Sequence, residues 1–490
     1  MINTIAFWDD FALLQKRQMH RRYFSPEIIR ESAFHDPDYP FSYSSIHWCE
    51  ELQKYRLWYN INNVVCKIDG KGQDEHFQLS LAESDDAIHW ETRNYSGNPD
   101  DKNVVFKGSQ GSVHGVMVYR DSHDPDRLYK CAASIDSLTV ANQNVAPGVI
   151  ATSNDGINWD ENELKFKWGA SMSDAYNCFL YNPVIGEYQL ILRSVLTDRR
   201  ICTSHSPDLV HWSKPEVMIS PDSFDPACSE FYGMSMFYDQ GIFYGFLWIF
   251  DTDMYDRVPW KFLGNVYSEL VYSYDGLHWN RTHHKALPLQ EIGEYGASMN
   301  YMFNITRDKT GENYLISTLL TMQEHGGAMY KELRTRMADE SNELNMHYTS
   351  KVRAGRFCGL QSCGNGFLRT KQILLNGEEL TINAKCPNGS MRVQLIDLYQ
   401  KPVPGFSFDD SELFFGDETA WRPKWKKRSI SELKGRRFGI EIELYTGCVY
   451  GISGDFYPFH GAMPQKGYGD PRIAEDVFGD NVDYTRCMPV

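Results

Sequence analysis

The chain has 490 residues, 42% hydrophobic and 23% charged, with a formal net charge of −16. That length favours two domains, because single hydrophobic cores stop growing at about 250–300 residues. An acidic balance without a basic stripe argues against a nucleic-acid partner, and no apolar window long enough for a membrane helix is present.

The N-terminus, MINTIAFWDDFALLQKRQMH, has no basic start followed by an unbroken apolar run, because Asp9 and Asp10 interrupt it. It does not read as a secretory signal. Eleven scattered cysteines, an odd count, suit a reducing, cytoplasmic setting better than a disulfide framework. No Cys-x-x-Cys or His-x-x-x-His spacing offers a structural zinc site, so no metal is expected. The segment itself reads as an opening strand of the first domain.

From about residue 30 to 345 one pattern organises the chain: SDDAIHW ending at Trp90, SNDGINW at Trp159, SPDLVHW at Trp212 and SYDGLHW at Trp279. The Trp spacings of 69, 53 and 67 residues suit four-stranded sheets with elaborated loops. Each copy follows an alternating or apolar run, so a strand runs into a tight turn whose Ser and Asp oxygens accept backbone N–H bonds. The Trp then opens the next strand and packs between blades. Further strand signals lie at YRLWYNI (55–61), GVMVYRD (115–121), EYQLILRS (187–194), GIFYGFLWIF (241–250) and NYLISTLL (313–320), giving five units. Helical periodicity is confined to residues near 331–343.

The expected fold is all-β, a five-bladed β-propeller over residues 1–349 that includes the N-terminal strand. After residue 350 the Trp turns stop and short alternating strands follow, LTINAKC, MRVQLIDL, FGIEIEL and CVYGISG, with turn residues such as CPNGS between them. That predicts a β-sandwich over 350–456. The tail, 457–490, is expected to pack back on the rest.

A propeller narrows to an axial pocket lined by the innermost strand of each blade, so functional side chains should come from blade starts. FHDPDYPFSYSSIHW carries Asp36 and Asp38, MSDAYNCFLYNP carries Asp174, and DPACSEFYGMSMFYD carries Glu230. Glu291 and Glu294 open the fifth unit and are rivals for any of these. Arg193 offers a fork of donors for sugar hydroxyls or a salt bridge between blades, and His114 and His325 are candidate contacts. Trp48 and Tyr232 offer aromatic faces for a sugar, or interblade packing.

At these residues the chain resembles the five-bladed propeller glycoside hydrolases, family 32 above all, with its relatives in families 43 and 68. HDPDY keeps an Asp-Pro step at Asp36, SEFYG keeps a glutamate at Glu230, and Asp174 corresponds by position. The resemblance implies Asp36 as nucleophile, with Asp38 its rival, Glu230 as acid/base and Asp174 as the orienting carboxylate. Glycoside cleavage needs such a pair, one carboxylic acid protonating the leaving oxygen and one carboxylate on the opposite face. It implies a hydrolase of a furanoside or related sugar that needs no cofactor, with carbohydrate as its partner; homo-oligomerisation stays open. Two alternatives stand beside it. One is a phosphorylase, with phosphate held by Arg193, Arg199, Arg200 and His114; the other is a carbohydrate-binding protein without catalysis.

Overall fold

The structure is a computed structural model that describes residues 3–36, 41–65, 74–109, 112–134, 148–161, 175–193, 198–226, 228–254, 263–325 and 344–459. Asp38, Asp174, the helical stretch at 331–343 and the tail beyond 459 lie outside the described residues. Among the described residues the chain is β throughout, its helical segments being short 3-10 turns, and no helix is long and apolar enough to cross a membrane.

The chain divides into two compact units, Phe24–Ala354 and a second made of the residues up to Tyr23 with those from Gly355 onward. The first is a five-bladed β-propeller followed in sequence by a β-sandwich. Blade 1 is Phe41–Cys49, Lys54–Val65 and Asp74–Ser84, with Glu91–Thr92 and Val104–Phe106 on its outer side. Blade 2 is His114–Arg120, Tyr129–Ser134 and Gly148–Ser153; blade 3 is Cys178–Asn182, Glu187–Arg193, Ile201–Ser206 and Glu216–Ile219. Blade 4 is Ser229–Asp239, Ile242–Met254, Leu263–Ser273 and Trp279–Lys285. Blade 5 is Met299–Arg307, Asn313–Thr321 and Asn345–Arg353, and its fourth strand, Glu27–Ile28, comes from the start of the same unit. The five inner strands pack in sequence round a ring, and that of blade 5 returns against that of blade 1. Asn304 seals this last joint, accepting from Ile46 N–H and donating to its carbonyl, both at 2.7 Å.

The four Ser-x-Asp turns are the same device each time. In the fourth, Asp275 Oδ1 accepts the N–H groups of Leu277 and His278 at 2.8 and 2.7 Å, and Oδ2 meets His278 Nδ1 at 2.7 Å. The residue after the Asp has positive φ in all four: Ala87, Gly156, Leu209 and Gly276. The carbonyl of that residue accepts an interblade bond in three of the turns. Trp58 Nε1 donates to Gly156 O at 2.8 Å, Gln189 Nε2 to Gly276 O at 2.6 Å, and Thr349 Oγ1 to Ala87 O at 2.7 Å. Three turns thereby latch onto the preceding blade, and Leu209 is buried in the core.

The second unit corrects the expected boundary at its N-terminal side. Asn3–Ala6 pairs with Arg437–Phe459, while Leu13–Arg17 and His20–Tyr23 pair with Cys358–Thr370, so the opening strands belong to the sandwich and not to the propeller. The segments read as separate short strands also join: LTINAKC and MRVQLI lie in one strand, Gln372–Ile396, and FGIEIEL and CVYGISG in another, Arg437–Phe459. CPNGS, expected as a turn, is a bulge where register shifts between Lys385 and Ser390. Inward residues change parity at such bulges, from Leu375 to Leu380 and from Cys386 to Met391, which keeps each segment facing one core.

Candidate active site

Every blade is entered through its inner strand, so the five strand starts gather at one mouth of the axis. Below them the axis is filled by rings. Tyr43 of blade 1 lies 5.9 Å from Tyr176, just before blade 3, and 6.3 Å from Trp248 of blade 4. Phe303 of blade 5 lies 5.3 Å from Tyr176 and 5.2 Å from Trp248. Trp248 belongs to the second strand of its blade and reaches the axis over Gly233, where a Cβ would stand 2.5 Å from its Cε3. A bulge between Phe231 and Gly233 accompanies the crossing, and Trp248 Nε1 donates to Met302 O at 3.0 Å.

Glu230 is the second residue of the inner strand of blade 4 and is buried, with 6% of its surface exposed. The Arg199 guanidinium donates to its Oε2, and Arg199 is itself fixed by the Phe231 N–H on its carbonyl at 2.9 Å. Arg193, ending the second strand of blade 3, lies with its guanidinium 5.0 Å from the centre of the Tyr232 ring; that of Arg199 is 5.4 Å from Phe250. His325 packs 5.0 Å from Tyr232 and 4.5 Å from Phe250, its N–H held by Gly264 O at 3.0 Å. Tyr301 adjoins Tyr232 at 6.0 Å. Burial pushes its phenol well above the usual value, Tyr232 adding and the Arg193 charge opposing, so the group is a neutral O–H.

Four of the residues singled out in the sequence therefore meet in one cluster: Glu230, Arg193, Tyr232 and His325. His114 lies at the edge of the aromatic floor, stacked on Phe77 at 3.9 Å and 5.5 Å from Tyr43. Asp36 belongs to a different cluster. It is fully buried, and its Oδ2 accepts from Tyr59 O–H at 2.6 Å and Asn103 Nδ2 at 3.1 Å, the geometry of an internal acceptor. Burial, then Asp36, keeps the Tyr59 phenol protonated as that donor. Trp48 stands near the far end of its strand from Phe41 and packs 4.7 Å from Tyr55. Glu291 is exposed on a turn closed by Glu294 N–H to its carbonyl at 3.0 Å. Arg200 bonds Asp198 at 2.9 and 3.0 Å, which separates it from the cations at Glu230. Sequence reasoning did not single out Phe250 or Tyr301, and it named Arg199 only for phosphate, because adjacent arginines in TDRRI carry no sign of which faces the axis.

No protein-family model matches the sequence, and neither does any curated protein. Solved structures similar to the chain include an N-acetylgalactosamine deacetylase from F. plautii in complex with blood group B trisaccharide, at 12% identity and TM-score 0.44, covering 70% of this chain and 97% of that one. A family-32 β-fructofuranosidase of Bombyx mori has 10% identity and TM-score 0.40, covering 88% of this chain and 95% of that one. An endo-arabinase from Bacteroides thetaiotaomicron has 12% identity and TM-score 0.38, covering 62% and 95%. At these values the chemistry must be read from this chain's own side chains.

Proposed function

We propose that the propeller is a glycoside hydrolase that binds a furanoside or related sugar at the axial mouth, with Glu230 as the proton donor to the leaving oxygen. The observation that carries this is the meeting of a buried carboxylate, two guanidinium groups and the rings of Tyr232 and His325 where blades 3, 4 and 5 begin. A sugar needs donors for its hydroxyls and an aromatic face for its C–H surface, and Arg193, Arg199 and Tyr232 are residues of those kinds. The opposing carboxylate in this reading is Asp174, which immediately precedes the blade 3 segment carrying Tyr176. Asp36, with its bonds to Tyr59 and Asn103, is given a structural part instead.

The test is hydrolysis of a panel of nitrophenyl furanosides and pyranosides by the wild type, E230Q and D174N. Both variants should lose about 10²–10⁴-fold in kcat/KM while keeping the wild-type melting temperature. Wild-type-like turnover by E230Q removes Glu230 from the mechanism. Because Arg199 meets Glu230 and Arg193 lies against the Tyr232 ring, phosphorolysis at the same site is the second reading; a requirement for added phosphate decides for it.

A further inference from the structure

On the other side of the strand that carries Glu230 lies a buried ion cluster with no part in the chemistry described so far. Arg281, in the outer strand of blade 4, donates from Nε and Nη2 to Glu269 at 3.1 and 2.6 Å, and from Nη2 to Asp225 Oδ1 at 2.7 Å. The three side chains are 7%, 4% and 5% exposed. Its guanidinium also sits 4.9 Å from the centre of the Phe231 ring. Asp225 is fastened into its loop as well, since its Oδ2 accepts the Asp222 N–H at 2.7 Å, and Ser229 N–H closes the next turn on Pro226 O at 3.0 Å. Arg281 thus grips the chain five residues before Glu230 and one residue after it. Adjacent strand residues face opposite ways, so it does so from behind.

We propose that Arg281 is a positioning residue for Glu230, fixing through Asp225 and Phe231 the stretch of backbone from which that carboxylate projects. The proposal rests on reading Glu230 as the acid. A bidentate guanidinium is suited to the task, because its planar fork fixes two carboxylates at once where an ammonium would hold them loosely.

The experiment uses the full chain and the variants R281M, R281K and D225N, with kcat and KM on a glycoside the wild type cleaves and a crystal structure of each. We expect R281M to lose about 10²-fold in kcat with KM within about threefold, as a misplacement of about 1 Å does, with R281K only partly restoring it. In its crystal structure the Glu230 carboxylate should stand about 1 Å or more from its wild-type position against Arg199. D225N removes one arm of the clamp at nearly constant shape and is read the same way if R281M does not fold. A folded variant with Glu230 in place, or with wild-type kcat, overturns the proposal. If the wild type cleaves no glycoside, the hydrolase reading fails, while the position of Glu230 in the variants still decides the role of Arg281.

Discussion

Gly156 is the most sensitive point of the repeated turn, and Gly156→Ala tests the latch directly. Its φ is +69, and a Cβ there would stand 2.6 Å from Trp58 Cζ2 and 3.3 Å from Cε2. Carbon atoms in contact prefer about 3.5–4.0 Å, so the overlap with the ring is about 1 Å. The indole has nowhere to go: Trp58 is fully buried, its Nε1 is bonded to Gly156 O at 2.8 Å, and Tyr129 packs 5.2 Å away. A left-handed alanine costs about 1 kcal/mol and overpacking about 1–3 kcal/mol more, which gives about 2–4 kcal/mol. With an unfolding entropy of about 2.1 cal/mol/K per residue over the propeller, that lowers its Tm by about 3–6 °C. The same position in the first turn already holds Ala87, at φ 61, so Ala87→Gly should move Tm by less than about 1 °C and is the internal control. Scanning calorimetry of both variants and of W58F/G156A decides the matter. A G156A protein within about 1 °C of wild type, or no coupling with Trp58, would refute the latch reading.

Asp36→Ala leaves Tyr59 O–H without its buried acceptor, while Asn103 Nδ2 keeps the Tyr59 oxygen at 2.5 Å, and should cost about 1–3 kcal/mol, read by denaturant unfolding, with turnover per folded molecule retained; abolished turnover at unchanged stability would return Asp36 to the chemistry. Acid sensitivity should begin well above the carboxylate range. Burial pushes His47 down to about 4 and His347 down to about 3, against about 6.5 in an unfolded chain. The folded protein keeps both rings neutral while the unfolded chain takes up protons, so their contribution is full above pH about 6.5 and is lost as pH falls toward 4. The slope approaches about 1.4 kcal/mol per pH unit for each ring. Measured stability that is flat from pH 7 to 5, or unaltered in that slope by His347→Gln, would contradict this.

The blades were legible because their signal is local. Ser273, Asp275 and the positive φ of Gly276 act within a few residues of one another, so the sequence window that shows them also contains their cause. Closure is different. Glu27–Ile28 is too short for any periodicity and finds Ser350 and Lys351 at the other end of the unit. Leu13–Arg17 pairs with residues 367–370, a choice made by register in the sheet rather than by neighbours in the chain. The same limit divides the site residues. Glu230 could be found from its place at a blade start, whereas Arg199 and Arg200 differ only in which way each faces, and one meets Glu230 while the other meets Asp198. Trp48 and Tyr43 share a strand, yet only the one near its start joins the aromatic floor.

Closing five blades and holding the strand that carries Glu230 are one packing problem. Trp248 reaches the axial rings of Tyr43, Tyr176 and Phe303 from the second strand of its blade by crossing Gly233. That crossing falls three residues after Glu230, on the same strand and beside the bulge at Phe231. The strand is therefore fixed twice, on its axial side by the indole bonded to Met302 O and on its reverse side by Arg281 against Phe231. A carboxylate on a loop would have neither restraint. Side-chain polar groups held in place before substrate arrives contribute more to a transition state than groups that must be ordered during the reaction. Under the proposed reading of Glu230 as the acid, the stiffness that closes the propeller between blades 4 and 5 is the same stiffness that aims it, and substitutions that loosen the plug should be felt in turnover before they are felt in folding.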